Sequence, residues 1–212
     1  MKYANLIELF AERPFFEVEE LILLFKEPPN QTRARLSRWV NTNKLIQLRR
    51  GKYLIPETYQ KKESSDGFIA NYLYRPSYVS LHTALDFYGL IPESVKVIES
   101  VTTRQTASWQ TQLGTFKYFS IHRDRFWGYR EYFKGGVRLN PQQQFFIAAP
   151  EKALLDLFYF QKGEWTLQRL KEMRFQNLDI ININQLKEFT EQMKSKKIQR
   201  SVHNLLNNIL PK

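Results

Sequence analysis

The chain has no cysteine, which removes disulfides, thiolate metal sites and thiol nucleophiles from consideration. Histidine is scarce: His82, His122 and His203 stand far apart, without the i, i+4 spacing that puts two imidazoles on one helix face. Gly135-Gly136 is not followed by a Lys-Ser/Thr pair and reads as a turn, so a glycine-rich phosphate loop is missing too. No Asp or Glu stands two places before a Lys, which takes away the Asp/Glu-x-Lys strand with which many nucleases hold a metal. Nowhere is there an uninterrupted apolar run of about 18 residues, and the opening stretch MKYANLIELFAER carries Glu8 and Glu12. The expectation from these absences is a cytoplasmic protein that is not an enzyme, with no signal peptide, membrane span, metal or cofactor.

One further absence is local. Gln31 to Pro56, QTRARLSRWVNTNKLIQLRRGKYLIP, holds Arg33, Arg35, Arg38, Lys44, Arg49, Arg50 and Lys52 and not one acid. The preceding segment is the reverse, with Glu8, Glu12, Glu17, Glu19, Glu20 and Glu27 against Lys2, Arg13 and Lys26. The charge is placed, and the net +11 with pI ≈ 9.7 points to an anionic partner. At 212 residues, 42% of them hydrophobic, the chain can bury a real core in a small domain plus a larger one.

Apolar spacing predicts a first helix from Tyr3 to Arg13, stopped by Pro14, and a second over Val18 to Phe25, closed by Pro28-Pro29. Asn30 or Thr32 is a candidate cap for a third helix running to about Asn43. In that helix Leu36, Trp39 and Val40 form one face, and Gln31, Arg35, Arg38 and Thr42 line the opposite one. Ile46 and Leu48, then Arg50-Gly51, then Tyr53 to Ile55 read as a hairpin with a basic tip. Three short helices and a basic hairpin is the order of a winged helix-turn-helix. In such a unit the third helix enters the major groove of duplex DNA and the wing lies on phosphates. The expected base readers are Gln31, Arg35 and Arg38, and the backbone contacts are Arg49, Arg50 and Lys52; Thr32, Arg33, Thr42 and Lys44 complete the DNA-binding set.

Residues 1–59 are thus assigned to this DNA-binding domain and residues 60–68, around the polar QKKESSDG, to a linker. Residues 69–212 form a larger domain. Its pattern predicts a helix over Leu81 to Tyr88 and strands at Val95–Thr103, Thr115–Ile121, Tyr129–Phe133, Val137–Leu139 and Phe145–Ala149. Further helices are expected from Pro150, over Glu164–Arg174, over Asn184–Lys194 and over Lys196–Leu210. The fold class is α+β, with a mixed or mostly antiparallel sheet and flanking helices. Glu151, Lys152 and Asp156 are the one compact ionisable group in an apolar setting; Lys152 and Asp156, four apart, can pair and support the start of their helix.

Five segments in order, LIQLRRGKYLIP, YVSLHTALDFYGLIPE, VIESVTTRQ, GTFKYFSIHRDRFWGY and PEKALLDLFY, give the chain a pattern that resembles AbiEi-type antitoxins of type IV toxin-antitoxin systems. The likeness runs from about Leu6 to the last helix. It implies an N-terminal winged helix that binds repeated half-sites in its own promoter and represses the operon. It also implies a C-terminal antitoxin domain that counters a nucleotidyltransferase-like toxin encoded beside it, without a stable complex, in systems that abort phage infection. The operator-binding residues it implies are those the charge pattern selects. The rival expectations are a solitary winged-helix regulator, a protein-interaction adaptor, and a nucleic-acid-processing enzyme with its site in the C-terminal domain.

Overall fold

A computed structural model describes residues 1–61, 64–133 and 144–209. The turn at Gly135-Gly136, the strand expected at Val137–Leu139 and Leu210 at the end of the last helix lie outside the described residues.

The N-terminal part runs α1 (Tyr3–Phe10), β1 (Phe15–Glu17), α2 (Val18–Phe25), α3 (Pro29–Asn41), β2 (Ile46–Arg49) and β3 (Lys52–Leu54). The three strands form an antiparallel sheet in the order β1-β3-β2, pairing Phe15 with Leu54 and Arg49 with Lys52. Strand β1 did not stand out in the sequence, because three residues are too few to display a period. Its alternation nevertheless organises the molecule, since successive side chains of a strand point to opposite faces. Phe16 joins Leu6, Phe10, Leu21, Leu36, Leu45 and Tyr53 in a small core beneath the three helices. Phe15, with Leu48 and Leu54, belongs instead to the large core formed by the rest of the chain. The small sheet is therefore covered on both faces.

The remainder contains α4 (Asp66–Leu73), β4 (Ser77–Val79), α5 (Leu81–Phe87), β5 (Val97–Thr102), β6 (Ala107–Thr111), β7 (Gly114–Ser120), β8 (Tyr129–Phe133) and β9 (Gln144–Ala148). It closes with α6 (Pro150–Phe160), α7 (Leu167–Glu172), α8 (Ile183–Gln192) and α9 (Lys196–Asn208). Six strands make a sheet in the order β6-β7-β5-β4-β9-β8. The β5/β7 and β4/β9 pairs are parallel and the other three antiparallel, so the sheet is mixed and the class α+β. Helix α6 packs against α5, α8, α9 and β9 and is buried from Glu151 to Phe158, which is why its apolar positions run almost all round it. Among the described residues no helix is long and apolar enough to cross a membrane.

Of the residues assigned to a linker, 60–68, residues 62 and 63 lie outside the described residues and the last three belong to a helix. Asp66 to Phe68 are the first turn of α4, and Ser65 caps it by accepting a hydrogen bond from the Phe68 amide at 3.2 Å. Gly67 is there for close approach rather than flexibility, because a Cβ at that position would stand 2.4 Å from the Phe145 ring. The helix in turn carries Phe68 and Tyr72, whose rings meet Phe15 at 4.9 and 5.1 Å and tie the small sheet to the large core.

Candidate nucleic-acid interface

Helix α3 begins at Pro29, whose missing N–H costs nothing at a first helical position. Neither Asn30 nor Thr32 caps it. Thr32 is only 1% exposed and lies in the stripe continued by Leu36, Trp39 and Val40, so it cannot touch a partner and leaves the DNA-contacting set. At about 100° per residue that stripe turns Ala34 and Asn41 directly outward, with Gln31, Ser37 and Arg38 beside them. All of these are exposed, as are Asn30 and Arg33. Thr42 is exposed at the C-terminus, and its hydroxyl donates to the Arg38 carbonyl at 3.0 Å, so it finishes the helix. Lys44 is exposed and its ammonium stands 5.4 Å from the centre of the Tyr3 ring.

Arg35 sits on the flank of α3, not on its outer face. Its Nη1 donates to Glu27 Oε2 at 2.6 Å, to Oε1 at 2.9 Å and to the Met1 carbonyl at 2.8 Å, clasping the end of α2 to the start of α1. The Arg35 hydrogen bond, followed by the N-terminal ammonium, holds the Glu27 carboxyl below its usual pKa. One arm of this guanidinium, Nη1, is thus engaged by protein groups, and the side chain stands on the flank of α3 rather than on the outward face expected of a base reader.

The hairpin divides its cations in the same way. Arg50, at the tip, is exposed. Arg49 turns back onto the larger part of the molecule, where Nη1 donates to the Leu73 carbonyl at 3.1 Å and the guanidinium stands 5.0 Å from the Trp109 ring and 5.8 Å from Tyr74. Lys52 pairs with Glu17 across the β1/β3 register and lies 4.3 Å from the Tyr72 ring. Both were expected on phosphates, and both instead fasten the hairpin to α4. Of the ten residues the sequence selected, Gln31, Arg33, Arg38, Thr42, Lys44 and Arg50 are exposed, Arg33 on the flank of α3 opposite to Arg35. Sequence reasoning passed over Asn30, Ala34, Ser37 and Asn41; counting Thr32 as a core position, at i−4 from Leu36, would have found them.

A second polar constellation is wholly internal. Lys152 and Asp156, on successive turns of α6, are 0% exposed and paired. Asp156 Oδ2 also accepts from the Tyr78 hydroxyl at 2.9 Å and the Ser80 hydroxyl at 2.8 Å, and Lys152 Nζ donates to the Tyr78 oxygen at 3.0 Å. The Lys152 ammonium faces the Trp127 ring at 5.2 Å, and its stem passes so close to Gly128, at φ +74°, that a Cβ there would stand 3.0 Å away. Burial first, then the charge of Asp156, pushes the Tyr78 hydroxyl far above its usual pKa, so it stays a neutral donor. Glu151, next in sequence, accepts from the Asn182 amide at 2.7 Å and joins α6 to α8. The pairing expected from the i, i+4 spacing is present, deeper than a helix-end support would be. His82 is half-buried against Glu99, its Nδ1 at 2.8 Å, and among the described residues no three His, Asp or Glu side chains gather in a way that could hold a metal ion. No protein-family model matches the chain, and no curated protein matches it.

Proposed function

We propose that this chain is a DNA-binding transcriptional repressor whose N-terminal part acts as a winged helix-turn-helix. The observation that carries the reading is the outward face of α3, where Gln31, Ser37, Arg38 and Asn41 stand exposed with no acid anywhere between Gln31 and Pro56. Ala34, at the centre of that face, is small enough to let the helix backbone approach a groove floor. Arg38 and Gln31 have the geometry to donate bidentately to guanine and to pair with adenine. Arg33, Lys44 and Arg50 supply phosphate contacts on either side. The order α1-β1-α2-α3-β2-β3 and the antiparallel β1-β3-β2 sheet support this reading, being the order of a helix-turn-helix with one wing.

On the resemblance to AbiEi-type antitoxins, we extend the proposal to a repressor that binds repeated half-sites in its own promoter, in the cytoplasm, while its C-terminal part counters a nucleotidyltransferase-like toxin without a stable complex. In this reading the chain performs no catalysis. The test is equilibrium binding of the purified chain to duplex from upstream of its own gene, against scrambled duplex, over a salt series. Specific binding that falls with log salt at about −0.9 per phosphate contact is the expected result. Equal, weak binding to both duplexes would overturn it. The toxin part is tested separately, by asking whether expression of this chain rescues cells from the product of an adjacent nucleotidyltransferase-like gene.

A further inference from the structure

Between α4 and β4 on one side and β8 and β9 on the other lies a cleft of ≈ 460 Å³. Its walls are aromatic. Phe126, Tyr129 and Phe146 line it, with the Tyr129 ring centre 5.2 Å from Phe126 and 5.7 Å from Phe146 at an interplanar angle of 84°. Phe146 is 44% exposed, a large ring surface that the protein itself leaves uncovered.

The polar lining is unusual in a specific way. Asn71 and Ser77, both lining the cleft, are 7% and 6% exposed. Asn71 Oδ1 accepts from the Phe146 amide at 2.6 Å, which fixes the side-chain plane and leaves its Nδ2 without an acceptor; the Ser77 hydroxyl also has no partner. Buried polar groups are nearly always paired, so two orphans in the lining of one cleft call for a ligand that completes them. Two charged residues line the same cleft, Glu131, cross-strand from Phe146, and Arg75, which is exposed and has no carboxylate partner among the described residues.

We propose that this cleft binds a nucleoside monophosphate. The base stacks on Phe146 with the Tyr129 ring, itself stacked on Tyr78, standing against its edge; its acceptor edge takes the Asn71 Nδ2 hydrogen and the Ser77 hydroxyl, and the phosphate pairs with Arg75. A purely apolar ligand would leave Asn71 and Ser77 unpaired, and a bare anion would leave the rings uncovered. The volume lies within the range of about 300–1,000 Å³ typical of small-molecule sites. This inference does not rest on DNA binding by α3, whose residues lie on the opposite side of the small sheet from α4.

The experiment is titration calorimetry of the full chain with AMP, GMP, CMP and UMP in turn, with inorganic phosphate as the control anion. At least one monophosphate is expected to bind with a Kd below about 1 mM. Phe146→Ala and Arg75→Ala are each expected to weaken it tenfold or more, while Lys187→Ala on α8, which removes an exposed cation outside the cleft lining, leaves it unchanged. Both substituted cleft side chains are exposed, and should Phe146→Ala nevertheless fail to fold, Arg75→Ala with Ser77→Ala carries the test. The proposal is overturned if none of the four binds at that level, if phosphate alone binds as tightly, or if Lys187→Ala weakens binding as much as the cleft variants. The last result would mean diffuse attraction to a chain of net charge +11.

Discussion

Helices α3 and α6 both carry cations within a short apolar pattern, and the molecule uses them in opposite ways. On α3, Arg38 and Arg33 point to solvent and find no carboxylate among the described residues. On α6, Lys152 is taken entirely out of water and held by Asp156, Tyr78 and an aromatic ring. Residue type does not separate the two. What separates them is whether the position falls inside the core stripe and whether the neighbouring element presents an acid. Arg35 illustrates the rule within α3 itself, since a shift of about 60° toward Trp39 brings it to Glu27 and off the outward face.

The largest effect should come from breaking the α6 side of this contrast. Lys152→Ala leaves Asp156 charged and buried, and is expected to destabilise the chain by about 3–5 kcal/mol in denaturant unfolding. Replacing the pair with apolar residues, Lys152→Met together with Asp156→Leu, should recover much of that loss because no unpaired charge remains. If both variants unfold at the wild-type midpoint, the quartet is ornamental and the contrast with α3 collapses.

Next in size is Arg38→Ala, which should leave unfolding unchanged and weaken operator binding by about 1–3 kcal/mol, relaxing preference at one base pair. A uniform loss over all sequences, with the salt slope reduced by about 0.9, would make Arg38 a phosphate contact rather than a base reader.

How much of this could be read in advance follows the same line. Helical periodicity located α1, α2, α3, α5 and α6 because each buries a stripe long enough to repeat, and β5, β7, β8 and β9 were legible from their aromatic and β-branched runs. Strands β1 and β4, three residues each, were not, and neither was β6, an edge strand whose ASWQT mixes polar and apolar positions. Helix α4 hid behind QKKESSDG, where Ser65 is a cap and Gly67 a contact with Phe145. The exposed half of the candidate interface was visible in the charge pattern. The fates of Arg35, Arg49 and Lys52 were not, because Glu27, Leu73 and Glu17 become neighbours only through tertiary packing.

A smaller effect, of about 1 kcal/mol, is expected from Glu27→Gln, which breaks the clasp on Arg35 at a partly exposed site. Its pH dependence is diagnostic. The Glu27 carboxyl titrates below its usual range in the folded chain, so its stabilisation is fully present above the unfolded pKa of about 4.3 and disappears as pH falls through the lower folded value. The stability difference between wild type and Glu27→Gln, measured by urea unfolding, should therefore be constant from neutral pH down to about 5 and shrink below about 4. DNA binding by the folded variant at neutral pH should stay close to wild type, which is the opposite of what Arg35 as a base reader would require.

The smallest effect separates two adjacent residues. Arg50 is exposed at the hairpin tip, so Arg50→Ala should lower the log-log salt slope of DNA binding by about 0.9 and cost little stability. Arg49 is engaged by the Leu73 carbonyl and the Trp109 ring, so Arg49→Ala should leave that slope alone. Its effect should appear instead in the seating of the hairpin on α4, as faster amide exchange of the β2/β3 pair with no change in the exchange of α6. If Arg49→Ala changes the slope as much as Arg50→Ala, the guanidinium leaves Trp109 when DNA arrives, and the hairpin releases from α4 to bind. The division between inward and outward cations would then belong to the free protein alone.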